Sequence, residues 1–276
     1  MRSINRVIYK DPKKAGLNTV FGVDSLSLGY ELLGMGIFVL TWIALSFLFF
    51  LRPGFEHFYG FLPGPTFNAL CHAVTEPMFW FSVLTSLYRI GTGIFLAALI
   101  GIPAGFVIGF YPKLRRLTYS PIQFLRMISP LSWMPVALLV FASFESAVRF
   151  LIVMATVWPI ILTISMGVMG INPQWIKMAM NQGAGSAALL RTIVLPSSLP
   201  HVLTSLRLAL GVAWIVLVPA EFLGVTSGLG YLINDARDTM AYDRLMAMII
   251  VIGILGFVLD RTLQKIQTRL DWSFFE

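Results

Sequence analysis

Three arginines and one carboxylate stand inside otherwise apolar runs: Arg89 in SLYRIGTG, Arg126 in FLRMISP, Arg207 in SLRLAL and Glu221 in VPAEFLG. A cation at the centre of a bilayer costs at least ~2.5–3.5 kcal/mol on insertion scales, so each needs a partner, a wet cavity or a route to the interface. Arg126 and Arg207 lie within about two turns of one end of their runs and are expected to snorkel. Arg89 has two readings: it meets an anion crossing the membrane, or it sits at the interface. Glu221 either pairs with an arginine or caps its run.

Bond-making chemistry has little to build on. There is no G-x-x-x-x-G-K-[ST] phosphate loop and no H-E-x-x-H. His57, His72 and His201 are scattered, and no Ser–His–Asp set is evident. The single cysteine, Cys71, excludes an internal disulfide and a cysteine-based metal cluster. No catalytic residue, metal site or cofactor is expected on this chain, and the chain is not expected to be an enzyme.

The elements that carry these residues follow from composition. Of 276 residues, 57% are hydrophobic and 12% charged, with mean hydropathy +0.81. A soluble domain carries about 25% charge, so this is an integral membrane protein, all-α, with no room for a separate catalytic domain. A crossing helix needs about 20 residues. Six apolar runs qualify, at about 30–51, 79–111, 122–141, 147–169, 201–223 and 245–263. Residues 1–29 read as a basic tail before a retained first span, with no signal-peptide cleavage site; residues 30–276 form the membrane domain.

The net charge of +7 distributes asymmetrically. Thirteen Lys and Arg fall in the N-terminal tail, the stretch YPKLRRLTYSP, the segment after the fourth span and the C-terminal tail; four, Arg52, Arg149, Arg237 and Arg244, fall in the alternate connections. Positive charge marks the cytoplasmic side. Both termini are therefore expected in the cytoplasm, and the basicity reflects topology, not a nucleic-acid partner.

Within the second span Gly101, Gly105 and Gly109 share one helix face, a close-packing signal. In the third, ISPLSWMP places Pro130 and Pro135 in a helix that they must interrupt. Irregular backbone at membrane depth is tolerated where it is buried or lines a watery cavity. Ser129, Ser132 and Trp133 are thus pathway candidates beside Arg89 and Glu221, the alternative being a packing kink.

Between spans four and five, residues 170–200 read as two short helices. Asn172-Pro173 starts the first, Gly183 and Gly185 permit a bend, and Ala187–Leu195 forms a second piece ended by Pro196 and Pro200. A surface-lying helix pair usually carries more basic residues than Lys177 and Arg191; docking to a partner's groove is the better reading.

GAGSAALLRTIVLPSSLP resembles the cytoplasmic loop of permease subunits in bacterial ATP-binding-cassette (ABC) importers, whose pattern is Glu-Ala-Ala, three residues, Gly-Ala, then I-x-L-P-x-x-x-P. Gly183, Ala184, Ile193, Leu195, Pro196 and Pro200 match; Lys177, Met178 and Ala179 stand where Glu-Ala-Ala would. SLYRIGTGIFLAALIGIPAGFVIGFYPKLRRL, SPLSWMPVALLVF and GLGYLI are similar to the branch importing taurine, alkanesulfonates, nitrate or bicarbonate. The resemblance implies a type I importer permease fold with six transmembrane helices, in the bacterial inner membrane. Its coupling helix lies between spans four and five, with Gly183, Ala184, Gly185, Leu195, Pro196 and Pro200 meeting the ATPase. It implies a second permease chain, identical (a homodimer) or homologous, two cytoplasmic ATPase subunits that hold ATP and Mg, and an extracytoplasmic substrate-binding protein. The substrate would be a small anion, with a neutral heterocycle such as a thiamine precursor as the alternative. A secondary carrier is the competing class, but the matched broken-helix halves such carriers show are not found.

Overall fold

The computed structural model describes residues 25–50, 54, 56–222 and 224–273. The basic tail up to residue 24, Leu51, Arg52 and Leu223 lie outside the described residues. Every regular element among the described residues is helical. The chain divides into two units, residues 1–63 and 64–276. The first holds α1 (Ser25–Phe50) and a 3-10 turn, Glu56–Phe61. The apolar part of α1, Leu33–Leu48, is shorter than the about 20 residues a crossing needs.

The second unit is a helical bundle. It contains α2 (Pro63–Thr75), α3 (Pro77–Phe110), α4 (Pro112–Met127), α5 (Met134–Val140), α6 (Phe144–Met169), α7 (Pro173–Asn181), α8 (Ser186–Leu189), α9 (Leu195–Glu221), α10 (Leu229–Asp238) and α11 (Tyr242–Ser273). Among the described residues four stretches are long and apolar enough to cross a membrane: 77–110, 144–169, 186–221 and 242–268. The pair α4 and α5 makes a fifth if its two parts count as one span.

The core is the contact of α3 with α6, backed by α9. The glycine face expected in the second span lies along α6. A Cβ on Gly101 would meet Ile160 Cγ2 at 2.8 Å, on Gly105 Ile164 Cβ at 2.9 Å, and on Gly109 Val168 Cβ at 2.7 Å. Gly93 meets Ile152 in the same way, and Ala97, one turn along, is fully buried. Small residues here bring the two backbones together, so that dispersion contacts replace a hydrophobic drive that lipid does not supply.

The interruption expected at ISPLSWMP is present, while one expectation about proline needs correction. YPKLRRLTYSP is helical, so α4 begins at Pro112, and the chain bends by 87° before the helix resumes at Pro130. α4 ends at Met127, where Ile128 already turns to extended backbone (ψ 125°), and Pro130 holds Ser129 extended as well (ψ 129°). Conversely, Pro196 and Pro200 do not end the helix at 195. Residues 186–221 run through as one rod. A π turn at Leu190–Val194, closed by Leu195 N–H to Leu190 C=O, widens the helix just before Pro196. The wider turn relieves the clash between the proline ring and the carbonyl four residues back.

Candidate functional site

At the end of the bundle where α3 and α6 begin and α9 stops, Arg89 is fully buried and joins three elements. Its Nε donates to Glu145 Oε2 (2.9 Å) and its Nη2 to Glu145 Oε1. Nη1 donates to Glu221 Oε1 (2.6 Å) and to the Ser227 carbonyl (2.7 Å), and Nη2 also reaches Ser227 Oγ (3.3 Å). All five guanidinium donors are matched. Two carboxylates against one cation would leave an excess negative charge. The N-terminus of α10 offsets it: Gly230 N–H donates to Glu221 Oε2 (2.7 Å), and Leu229 N–H donates to Ser86 Oγ (2.8 Å), which itself donates to Glu221 (2.8 Å). Gly228 turns the chain into α10 at φ +117°, and a Cβ there would meet Arg89 Nη1 and Glu221 Oε1, each at 2.5 Å. Of the two sequence readings of Glu221, pairing with an arginine is what the geometry holds. The guanidinium considered for an incoming anion is saturated by the protein itself.

Arg207 is also paired, where snorkelling alone was expected. Its Nε and Nη2 donate to Asp260 Oδ1 and Oδ2, each at 2.8 Å, tying α9 to α11. Glu145, Ser227 and Asp260 were missed from sequence. The rule that could have found the acids is that an arginine at membrane depth needs a carboxylate, and few stand beside apolar runs.

The break between α4 and α5 borders a hollow of about 450 Å³. Ile128 and Pro130, on either side of Ser129, line it together with Trp158, Thr163 and Leu208, and Arg126 stands at its edge. Ser129 and Ser132 are exposed, while Trp133 is half-buried against the core around Leu151 and Ala213. The structure thus separates the pathway candidates: Arg89 and Glu221 meet in a closed cluster, and Ser129 lies near the hollow, where Arg126, expected only to snorkel, also stands.

At the opposite end from Arg89, α7 and α8 project between α6 and α9. Asn172 Oδ1 caps α7 by accepting from Gln174 N–H (2.9 Å), and Pro173 occupies its first turn. The end of α7 is a Schellman motif: Ala184 N–H donates to Ala179 C=O and Gly183 N–H to Met180 C=O, both at 3.0 Å, with Gly183 at φ +83°. Nothing lies within 4 Å of a Cβ built on Gly183 or Gly185, so the glycine at 183 answers a backbone demand and not a packing one. Trp175, Met178 and Met180 are exposed around this turn.

The family model for binding-protein-dependent transport system inner membrane components matches residues 97–272, more than half of the chain. The chain belongs to that family. It is similar to the taurine transport system permease protein TauC of Escherichia coli, 36% identical over 191 residues, which cover 69% of this chain and 70% of the relative. It is also similar to the bicarbonate transport system permease protein CmpB of Synechococcus elongatus, 34% identical over 192 residues, covering 69% and 68%. Among solved structures it resembles a chain of the inward-facing MetNI methionine ABC transporter (TM-score 0.59, 17% identity, 72% of this chain and 99% of that one). A chain of a bacterial ABC transporter importing alginate gives TM-score 0.60 at 16% identity, covering 89% and 97%. At such identity these two establish the fold alone. The protein is an ABC importer permease, a multi-pass membrane component. The matched region begins within α3 at Ala97, so it takes in Glu145, the projecting loop and Glu221, while Arg89 lies before it.

Proposed function

We propose that this permease forms, with a second copy of itself, the membrane pathway of an ATP-driven importer for a small anion of the taurine, sulfonate, nitrate or bicarbonate kind. An extracytoplasmic binding protein delivers the solute. Two ATPase subunits hold ATP and Mg and dock on α7, the Gly183–Gly185 turn and α8. In this reading α1 is a sixth span, both termini are cytoplasmic and the loop faces the cytoplasm, as the distribution of Lys and Arg supports.

The observation that carries the proposal is the loop. A capped helix, a left-handed glycine turn and a second short helix project from an otherwise membrane-embedded bundle, and large apolar side chains stand exposed at Trp175, Met178 and Met180. Such a patch on a short helix fits a partner's groove. Leu195 continues the exposed side of the rod, and Pro196 and Pro200 lie within it. Closing of the ATPases on ATP would move the two loops together and switch the pathway between two rigid arrangements.

The anion assignment draws on the two relatives named above and on Arg126 beside the hollow at the broken span. Ser129 and Ser132 are offered as pathway residues there. Arg89 and Glu221 serve the pathway indirectly in this reading, by fixing the ends of α3, α6 and α9. The test is Gly183→Arg read against Gly183→Asn, because any side chain at φ +83° bears on the turn while only the arginine adds a bulky cation. With the arginine, the purified complex with its ATPase is expected to lose solute-stimulated ATP hydrolysis while the chain stays folded; full stimulation would overturn docking at this turn.

A further inference from the structure

A second hollow, of about 440 Å³, lies between α4 and α6 at the same end of the bundle as the projecting loop. Arg115, Arg116 and Arg126 all contribute to its lining, with Gln123 beside them. No side-chain partner is found for any of the three guanidiniums among the described residues, and no carboxylate lines the hollow. This is the reverse of Arg89 and Arg207, whose donors are filled by Glu145, Glu221 and Asp260. The remaining wall is apolar, formed by residues such as Leu162, Met166 and Met169 of α6. Arg115 is half-buried and Arg116 and Arg126 are exposed, and all three border one cavity whose other wall is apolar.

From this pairing of unfilled guanidiniums with an apolar wall we infer a binding site for an anionic lipid: its phosphate sits among Arg115, Arg116 and Arg126, and an acyl chain lies along Met166 and Met169. Arginine forks match phosphate oxygens two at a time, and basic pockets between membrane helices on the cytoplasmic side take such headgroups. A bound lipid would brace α4, on one side of the 87° break, against α6. The inference does not depend on which solute is carried.

The test uses the full chain purified in mild detergent, titrated with dioleoylphosphatidylglycerol or dioleoylphosphatidylcholine, and read by native mass spectrometry. Because Arg126 also borders the hollow at the broken span, only Arg115 and Arg116 are changed. Wild type is expected to hold one phosphatidylglycerol in preference to phosphatidylcholine. Arg115→Gln with Arg116→Gln is expected to weaken it roughly 30-fold, about fivefold per guanidinium near a charged headgroup. Arg115→Lys with Arg116→Lys retains most binding. Met169→Trp, which fills the wall and spares every arginine, reduces it and decides the matter if the double glutamine variant does not fold. Equal binding of the two lipids, or equal binding by wild type and the folded glutamine variant, overturns the site. Displacement of the lipid by millimolar taurine or inorganic phosphate would make it a station for free oxyanions instead. A lipid-independent loss of self-association in the glutamine variant would make it an interface between copies; either result also overturns the inference.

Discussion

Arg89→Met removes the cation from a cluster in which the two carboxylates differ in exposure. The Glu221 side chain is 0% exposed, whereas that of Glu145 is 45% exposed. Without Arg89, Glu145 can recover solvation at little cost. Glu221 cannot: it keeps only Gly230 N–H and Ser86 Oγ. Stranding one partner of a buried pair costs about 3–5 kcal/mol. For a domain of this size each kcal/mol moves the midpoint by about 2–4 °C, so the variant is expected to melt roughly 6–20 °C below wild type. The assay is size-exclusion of detergent-purified chain after heating, scored for the remaining monodisperse peak. Arg89→Met with Glu221→Met removes both buried charges and should recover more than half of that loss, because two matched groups can be replaced by apolar ones at small net cost. Glu145→Gln alone should lose no more than about 1 kcal/mol. A midpoint for Arg89→Met within about 2 °C of wild type, or a double variant no better than the single, would refute the claim that Glu221 depends on this cation.

Three further outcomes follow from geometry already described. Gly183→Val forces a β-branched residue into a left-handed turn and should destabilise the loop by about 1–2 kcal/mol, whereas Gly183→Asn is tolerated; limited proteolysis of the loop distinguishes them. Exchanging the Arg207–Asp260 pair, as Arg207→Asp with Asp260→Arg, should restore the yield of folded chain that either single change lowers, because each alone leaves like charges facing one another across α9 and α11; a yield no better than the singles would argue that the pair does not tie the helices. Gly105→Leu drives side-chain atoms into Ile164 and the Ile161 carbonyl and should cost about 1–3 kcal/mol or more, seen as loss of monodisperse protein.

Much of this architecture was legible in the chain. The glycine face of α3, the Asn172 start of α7 and the turn at Gly183 are local patterns with local causes, and they appear where residue spacing put them. Helix ends at proline were less legible. The break at ISPLSWMP lies where its prolines announce one, while Pro196 is carried through by a π turn that no residue pattern announces. The arginine partners were least legible: Glu145 is 56 positions from Arg89, Glu221 is 132 away, and Asp260 is 53 from Arg207. No periodicity links residues so far apart. Only the requirement that charge at membrane depth be matched connects them, and it names the need without naming the partner.

The seam of Gly93, Ala97, Gly101, Gly105 and Gly109 has a thermodynamic side as well as a steric one. Glycine and alanine have no rotamers, so at these five positions the meeting of α3 with α6 costs no side-chain freedom on the α3 side. The contact also sets α3 glycines almost against α6 carbonyls: a Cβ on Gly105 or Gly109 would lie 3.0 Å from the oxygen of Ile161 or Ser165. A joint of this kind has one good register and no soft side chains with which to find another. This seam is therefore expected to hold α3 and α6 together as a single body whatever the rest of the chain does.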